Sequence, residues 1–517
     1  MSYFTVSRRS FLALPGALAL AGCGDRSDGD ARMRPLRVAM MAMPPGLGNP
    51  YTAAGTPSTN IWHAVFDGLT KIDRDFQLAP GLAVEWRVLD DQTRWEFKLR
   101  PNVKFSNGAP FTADAVVKAI NYLFTLEGKG TVIGGELRSV KGAEKIDDLT
   151  VVVITHKPDA ILPQRMTSLL IPEPGQWASL GPAGFAEKPI GTGPYELVTW
   201  RDGNGQVHLR KNPSSWRSTT IEEIFFVPVG DAAARAQALL AGSVDIGPVD
   251  MGNVSTYTDR GIKMISTPAM QGIALAFITE RKNPPGPVPL QDVRVRQALN
   301  YAVNKQGIVD SVLNGFGAPI GQPASRVTPG YDPAVEPYPY DPAKAKAMLA
   351  EAGYPNGFPL KIIITGDGLA PVIYQSMAND LRNVGIDVRL EAMAFALWLR
   401  TYVAHDWAPD VDAFGLSWTT SPYNDVIRPM EYYSCSRPNA FFCDKPLAEK
   451  MQRASAIMDG DERIAFLKEL ARDYHEAAPS LYLVDLEFQT GFSPTLENGY
   501  LVNRVPFYDD LRWKAQS

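Results

Sequence analysis

Side chains able to do covalent chemistry are few in this chain and poorly spaced for it. The five histidines, His63, His156, His208, His405 and His475, are scattered, and none has metal-type spacing. No Gly-x-Ser-x-Gly elbow is present to expose a serine nucleophile. Gly191-Thr192-Gly193 lacks the rest of a phosphate loop, and the proline that follows marks a turn. Carboxylate pairs such as Asp90-Asp91 fall at turns, where a solvated acid is the default. The residue types therefore point to binding, with no catalysis and no resident metal or other cofactor.

Sulfur is the exception. Cys435 and Cys443 have seven residues between them, and Cys23 closes the first segment of the chain. That segment carries Arg8-Arg9, a short apolar run from Phe11 and small residues before Cys23, the pattern of a secretory signal peptide. The run is shorter than the about 20 apolar residues that span a bilayer. Arg8-Arg9 with Phe11-Leu12 resembles a twin-arginine export signal, although Ala13 stands where lysine is common and the general route also tolerates paired arginines. Leu20-Ala21-Gly22-Cys23 resembles a lipobox, which implies removal of residues 1–22 and a lipid on Cys23; the alternative is an ordinary signal with an incidental cysteine. Outside the cytoplasm thiols oxidise, so Cys435 and Cys443 read as a disulfide. A metal site competes, but its nearest histidines in sequence are His405 and His475.

The elements that must position any site read as mixed α/β. The chain is 45% hydrophobic and 21% charged, with 43 glycines and 42 prolines, a globular composition rich in turns. Its formal charge is −5, and removing Arg8 and Arg9 with the signal leaves −7; this acidic body with no dense basic run argues against nucleic acid as a partner. Residues 23–33 are polar and patternless, a tether. Residues 36–40 read as an edge-like strand. A short helix is expected over Thr59 to Leu69, with Ile61, Val65 and Phe66 on one face. Arg94 to Arg100 alternates polar and apolar, the period of a half-buried strand. Thr112 precedes a helix bearing Val116, Val117, Ile120 and Leu123. Asp341-Pro342 starts a helix that Gly353 ends. A helix with Ile373, Met377, Leu381 and Val384 ends at Gly385 and leads into a strand over 386–390.

Several blocks, taken in order, resemble bacterial extracellular solute-binding proteins of family 5, the peptide- and nickel-type receptors of ABC importers. They are Leu78 to Ala83, Glu85-Trp86, Thr93 to Arg100, Val103 to Gly108, Pro110 to Asp114, Ile190 to Tyr195, Asp292 to Ala302, and Tyr340-Asp341-Pro342 through Gly353-Tyr354. The resemblance implies a two-lobed periplasmic-binding-protein fold (type II, cluster C-like) with an extra subdomain in the N-terminal lobe. Lobe I would cover 34–270, its subdomain about 68–180; lobe II would cover 271–480, and 481–517 would return to lobe I. Crossing strands are expected near Ile273 to Phe277 and Leu481 to Val484.

The resemblance also implies a ligand between the lobes. Trp418 would open a pocket-lining loop containing Thr419, Ser421, Tyr423 and Asp425. Peptide-binding members often carry an aspartate three residues after the tryptophan, paired with the peptide amine; here that position is Ser421, which cannot neutralise an ammonium, and Asp425 replaces it only if the loop bends differently. A lobe-core role competes for Trp418, and an ordinary loop aromatic for Tyr423. Thr59, at the start of the first helix, is a second candidate, with simple capping as its alternative. Gln271 flanks the first crossing strand. The expected protein is a monomeric substrate receptor, held to the membrane by its lipid alone and working with ABC permease and ATPase subunits. Its ligand would be an oligopeptide or peptide-like solute; the alternative is an opine, a small sugar or a metal chelate. A signalling receptor of the same fold and a secreted hydrolase are more distant readings.

Overall fold

In a computed structural model of the chain, residues 34–515 are described, apart from 45, 54, 250, 282, 367, 405, 422, 436–439 and 503. The signal segment, Cys23 and the tether lie outside the described residues.

An eleven-stranded mixed sheet organises the molecule. Two long antiparallel strands, Lys263–Phe277 and Ser480–Phe492, run through its middle and pair with each other along most of their length. Their register shifts between Pro268 and Gly272, and this irregularity divides the sheet. On one side, residues 271–277 pair with Ala413–Thr419, beyond which lie Pro359–Thr365 and Asp387–Met393. On the other, residues 489–492 pair with Ile246–Val249, followed by Leu36–Met40 and Glu223–Pro228. Each half has apolar clusters on both of its faces, the arrangement that mixed sheets covered by helices require. A separate four-stranded antiparallel sheet, ordered Ala83–Val88, Arg94–Leu99, Thr150–Thr155, Val140–Asp147, builds its own core with the helix Ala113–Tyr122.

Local chemistry explains the elements that the pattern predicts. Arg94–Leu99 alternates half-buried and buried residues without a break. Asp341 accepts from the backbone N–H of Lys344 at 2.8 Å and starts Pro342–Glu351; Gly353 follows it at φ +95°. The first helix is shorter than the periodicity suggests, Ser58–Val65, because Phe66 turns to extended backbone. Leu36–Met40 is not an edge strand. It lies between two parallel neighbours, with Leu36, Val38, Ala39 and Met40 all buried, and strands covered on both faces lose the alternation that marks an edge.

Candidate functional site

A cavity partly open to solvent lies beside the helix Ser58–Val65. Thr59, Trp62 and His63 of that helix line it, with Asp67, Lys71 and Ile72, Thr167, Ser168 and Leu170, Arg217, and Val502 and Val505 to Tyr508 near the C-terminus. Ser421 is the single described lining residue from 271–480. Thr59 and Ser421, expected from opposite lobes, thus face one space.

The polar floor of this cavity is built around Arg217. Its Nη1 donates to Asp67 Oδ1 at 2.9 Å and to the His63 carbonyl at 3.0 Å, and its Nε donates to Asp509 Oδ2 at 2.8 Å. Asp67 Oδ2 accepts from Thr192 Oγ1 at 2.7 Å and from Trp216 Nε1 at 3.0 Å. The Gly191-Thr192-Gly193 turn therefore orients a carboxylate. Both oxygens of Asp67 are engaged, and it is the only carboxylate among the described lining residues. Burial, then the Arg217 charge, lowers the His63 pKa to about 4, so the imidazole is neutral at pH 7 and can donate or accept a hydrogen bond. Lys71 lies half-buried on the short strand Thr70–Ile72, its Nζ 5.3 Å from the centre of the Phe507 ring.

The predicted loop behaves differently. Trp418 is fully buried and packs in one cluster with Phe414 and Leu416, its neighbours on the same face of Ala413–Thr419. A Cβ added to Gly272 would lie 2.4 Å from its indole, so that glycine makes room for the ring. Asp425 is also buried. Its carboxylate takes two hydrogen bonds from Arg463, at 2.7 and 2.9 Å, and so cannot stand in as a partner for a ligand ammonium. Thr419 receives the Ser421 N–H on its Oγ1 at 3.1 Å and the Arg428 Nη1 on its carbonyl at 2.7 Å. Gln271 donates to Ser417 Oγ at 2.5 Å. Of the seven ligand-contact expectations, the described cavity receives Thr59 and Ser421; Trp418, Thr419, Tyr423, Asp425 and Gln271 lie elsewhere.

Tyr423 belongs to a clasp between the four-stranded subdomain and residues 419–431. Its hydroxyl donates to Glu136, at the end of the helix Val132–Glu136, and Arg428 Nη2 donates to the same carboxylate at 2.8 Å. Arg138 reaches Glu431 at 2.7 Å, and Asn424 Nδ2 donates to the Phe76 carbonyl at 2.8 Å. Because Arg428 binds both Glu136 and the Thr419 carbonyl, the clasp holds the loop that presents Ser421. Local spacing shows none of this, since the partners are hundreds of residues apart.

Cys435 and Cys443 are joined in a disulfide with Cα atoms 4.6 Å apart. Among the described residues no group of three or more His, Cys, Asp and Glu side chains is arranged to hold a metal, and no helix is long and apolar enough to cross a membrane.

The chain is 25% identical over 500 residues to the glutathione-binding protein GsiB of Salmonella typhi, covering 90% of this chain and 92% of that protein. It is 27% identical over 461 residues to heme-binding protein A of Haemophilus influenzae, covering 81% and 80%. The structure of HbpA2 from Haemophilus parasuis superposes with a TM-score of 0.79 at 23% identity, covering 93% of this chain and 100% of that one, which shows the fold. The family model for bacterial extracellular solute-binding proteins, family 5 Middle, matches residues 77–440. This chain belongs to the family 5 extracellular solute-binding proteins, the substrate-binding components of ABC transporters.

Proposed function

We propose that the protein binds a peptide-like solute outside the cytoplasm and passes it, chemically unchanged, to an ABC permease driven by its ATPase. The observation that carries this reading is the cavity between Thr59 and Ser421. It combines apolar walls (Trp62, Leu170, Val505 and Phe507) with a few polar groups, as small-solute sites do. Lobe I is taken as 34–270 with 481–517, and lobe II as 271–480, hinged at the register shift. The clasp through Glu136 and Arg428 favours the closed arrangement. A monomer anchored through Cys23, its lipid the one link to the membrane, fits the same role.

The solute is held without an acidic partner for a free amine. Ser421 carries no charge, Asp425 is committed to Arg463, and Asp67 to Arg217. This favours a solute with a blocked or absent amine, and it also suits the second reading, a non-peptide acidic solute such as an opine. Calorimetric titration with di- and tripeptides, each free and N-acetylated, tests the proposal. Acetylated forms should bind at least as well as free ones. Ser421→Asp should improve binding of free-amine peptides by about tenfold, worth about 1.4 kcal/mol. No binding by any peptide of either kind would overturn the peptide-like reading, and a strong preference of the wild type for free amines would overturn the account of Ser421.

A further inference from the structure

We propose that Lys71 is the counter-charge for an acidic group on the bound solute. This rests on the cavity being the solute site. Lys71 lines that cavity, yet among the described residues its Nζ makes no ion pair or hydrogen bond; its neighbour is the face of Phe507. Most cations near the site are otherwise occupied. Arg217 lies between Asp67 and Asp509, and Arg100 stacks 4.2 Å from the Trp216 ring while its Nε donates to the Gly81 carbonyl at 3.2 Å.

The local charge balance points the same way. Arg217 and Arg100 oppose the Lys71 ammonium, while Asp509 and Asp67 favour it. Both carboxylates are already engaged by Arg217, so neither is left as a partner for Lys71 in this partly desolvated space. His63 is neutral and adds no charge to that space. The Lys71 pKa is lowered, first by burial and then by Arg217, so the two carboxylates do not compensate it. An ammonium removed from water without a partner is costly, and a carboxylate arriving with the solute supplies that partner. The ligand class is therefore a peptide-like or related solute bearing one acid group directed at Lys71, with His63 and Thr59 within the same wall for its uncharged polar atoms.

The test uses the full chain purified from the organism that makes it, with small molecules released by denaturation and identified by mass spectrometry. Wild type, Lys71→Met and Lys71→Arg are compared at equal protein. The expected result is an acidic solute in wild type, at least a tenfold loss of occupancy in Lys71→Met, and retention in Lys71→Arg. The emptied Lys71→Met protein should melt no lower than emptied wild type, since the substitution removes an unpaired charge; a purely structural lysine would lower it. A released solute without an acid group, or equal occupancy in Lys71→Met, overturns the Lys71 proposal while leaving the binding function intact. No released solute from wild type overturns the proposed site and the Lys71 proposal with it.

Discussion

The wall formed by residues 59–72 and 502–508 and the loop 417–431 meet the same cavity, but they are built on opposite principles. Among the described residues the wall leaves polar groups without partners: a neutral His63, Lys71 and half-buried Thr59. The loop has committed nearly everything it carries, with Asp425 on Arg463, Tyr423 on Glu136, and Trp418 in a lobe core. Among the described residues of that loop, Ser421 alone reaches the cavity. On the proposed reading one region meets the solute and the other positions and closes, and substitutions in the two should fail in different ways.

The largest effect is expected at Asp425. Asp425→Ala leaves the Arg463 guanidinium buried without its carboxylate, a loss of about 3–5 kcal/mol. Chemical denaturation should show it as a large fall in midpoint. A change in solute affinity with unchanged stability would place Asp425 in the site after all. Trp418→Ala comes next, at about 3 kcal/mol of stability from lost packing and the cavity left against Gly272. Solute affinity of the folded variant should change little, and an isolated loss of affinity would return the indole to the cleft.

Arg428→Ala sharpens the contrast, because it should spare the lobes and weaken their union. Hydrogen bonds to charged groups contribute about 1.5–3 kcal/mol each. Losing the Glu136 contact should raise the dissociation constant by about tenfold or more, read by calorimetry, with a near-native melting temperature for the empty protein. Unchanged affinity would remove the clasp from the closing mechanism. The smallest effect at neutral pH belongs to the wall. The folded protein holds His63 at about 4, below the ordinary 6.5 of the unfolded chain, so between these values the unfolded state binds a proton that the folded state refuses. The stability associated with neutral His63 is intact above about pH 6.5 and is lost as pH falls toward about 4. His63→Gln should flatten that part of the stability profile, and an identical profile would show that the ring titrates normally.

Much of the fold was legible because its cues are local. Asp341-Pro342 with Gly353 and the alternation of Arg94–Leu99 require only neighbours to interpret. The buried setting of Trp418 was legible too, since Phe414, Leu416 and Trp418 repeat every second residue on one strand face. Lys71, His63 and Arg217 had no such cue. Their surroundings come from segments near 67, 217 and 509, and a lysine on a three-residue strand looks like any surface lysine until Phe507 and Arg217 are placed beside it.

The central claim is that the solute lies against the 59–72 wall and meets the second lobe at Ser421. A crystal structure of the protein with its native solute retained through purification tests this most directly. Ligand density is expected in the cavity, with an acidic group within hydrogen-bond reach of Lys71 Nζ and contacts to Thr59 and Ser421. Density seated instead against Trp418, or a solute in the cavity with its acid group directed away from Lys71, would contradict it.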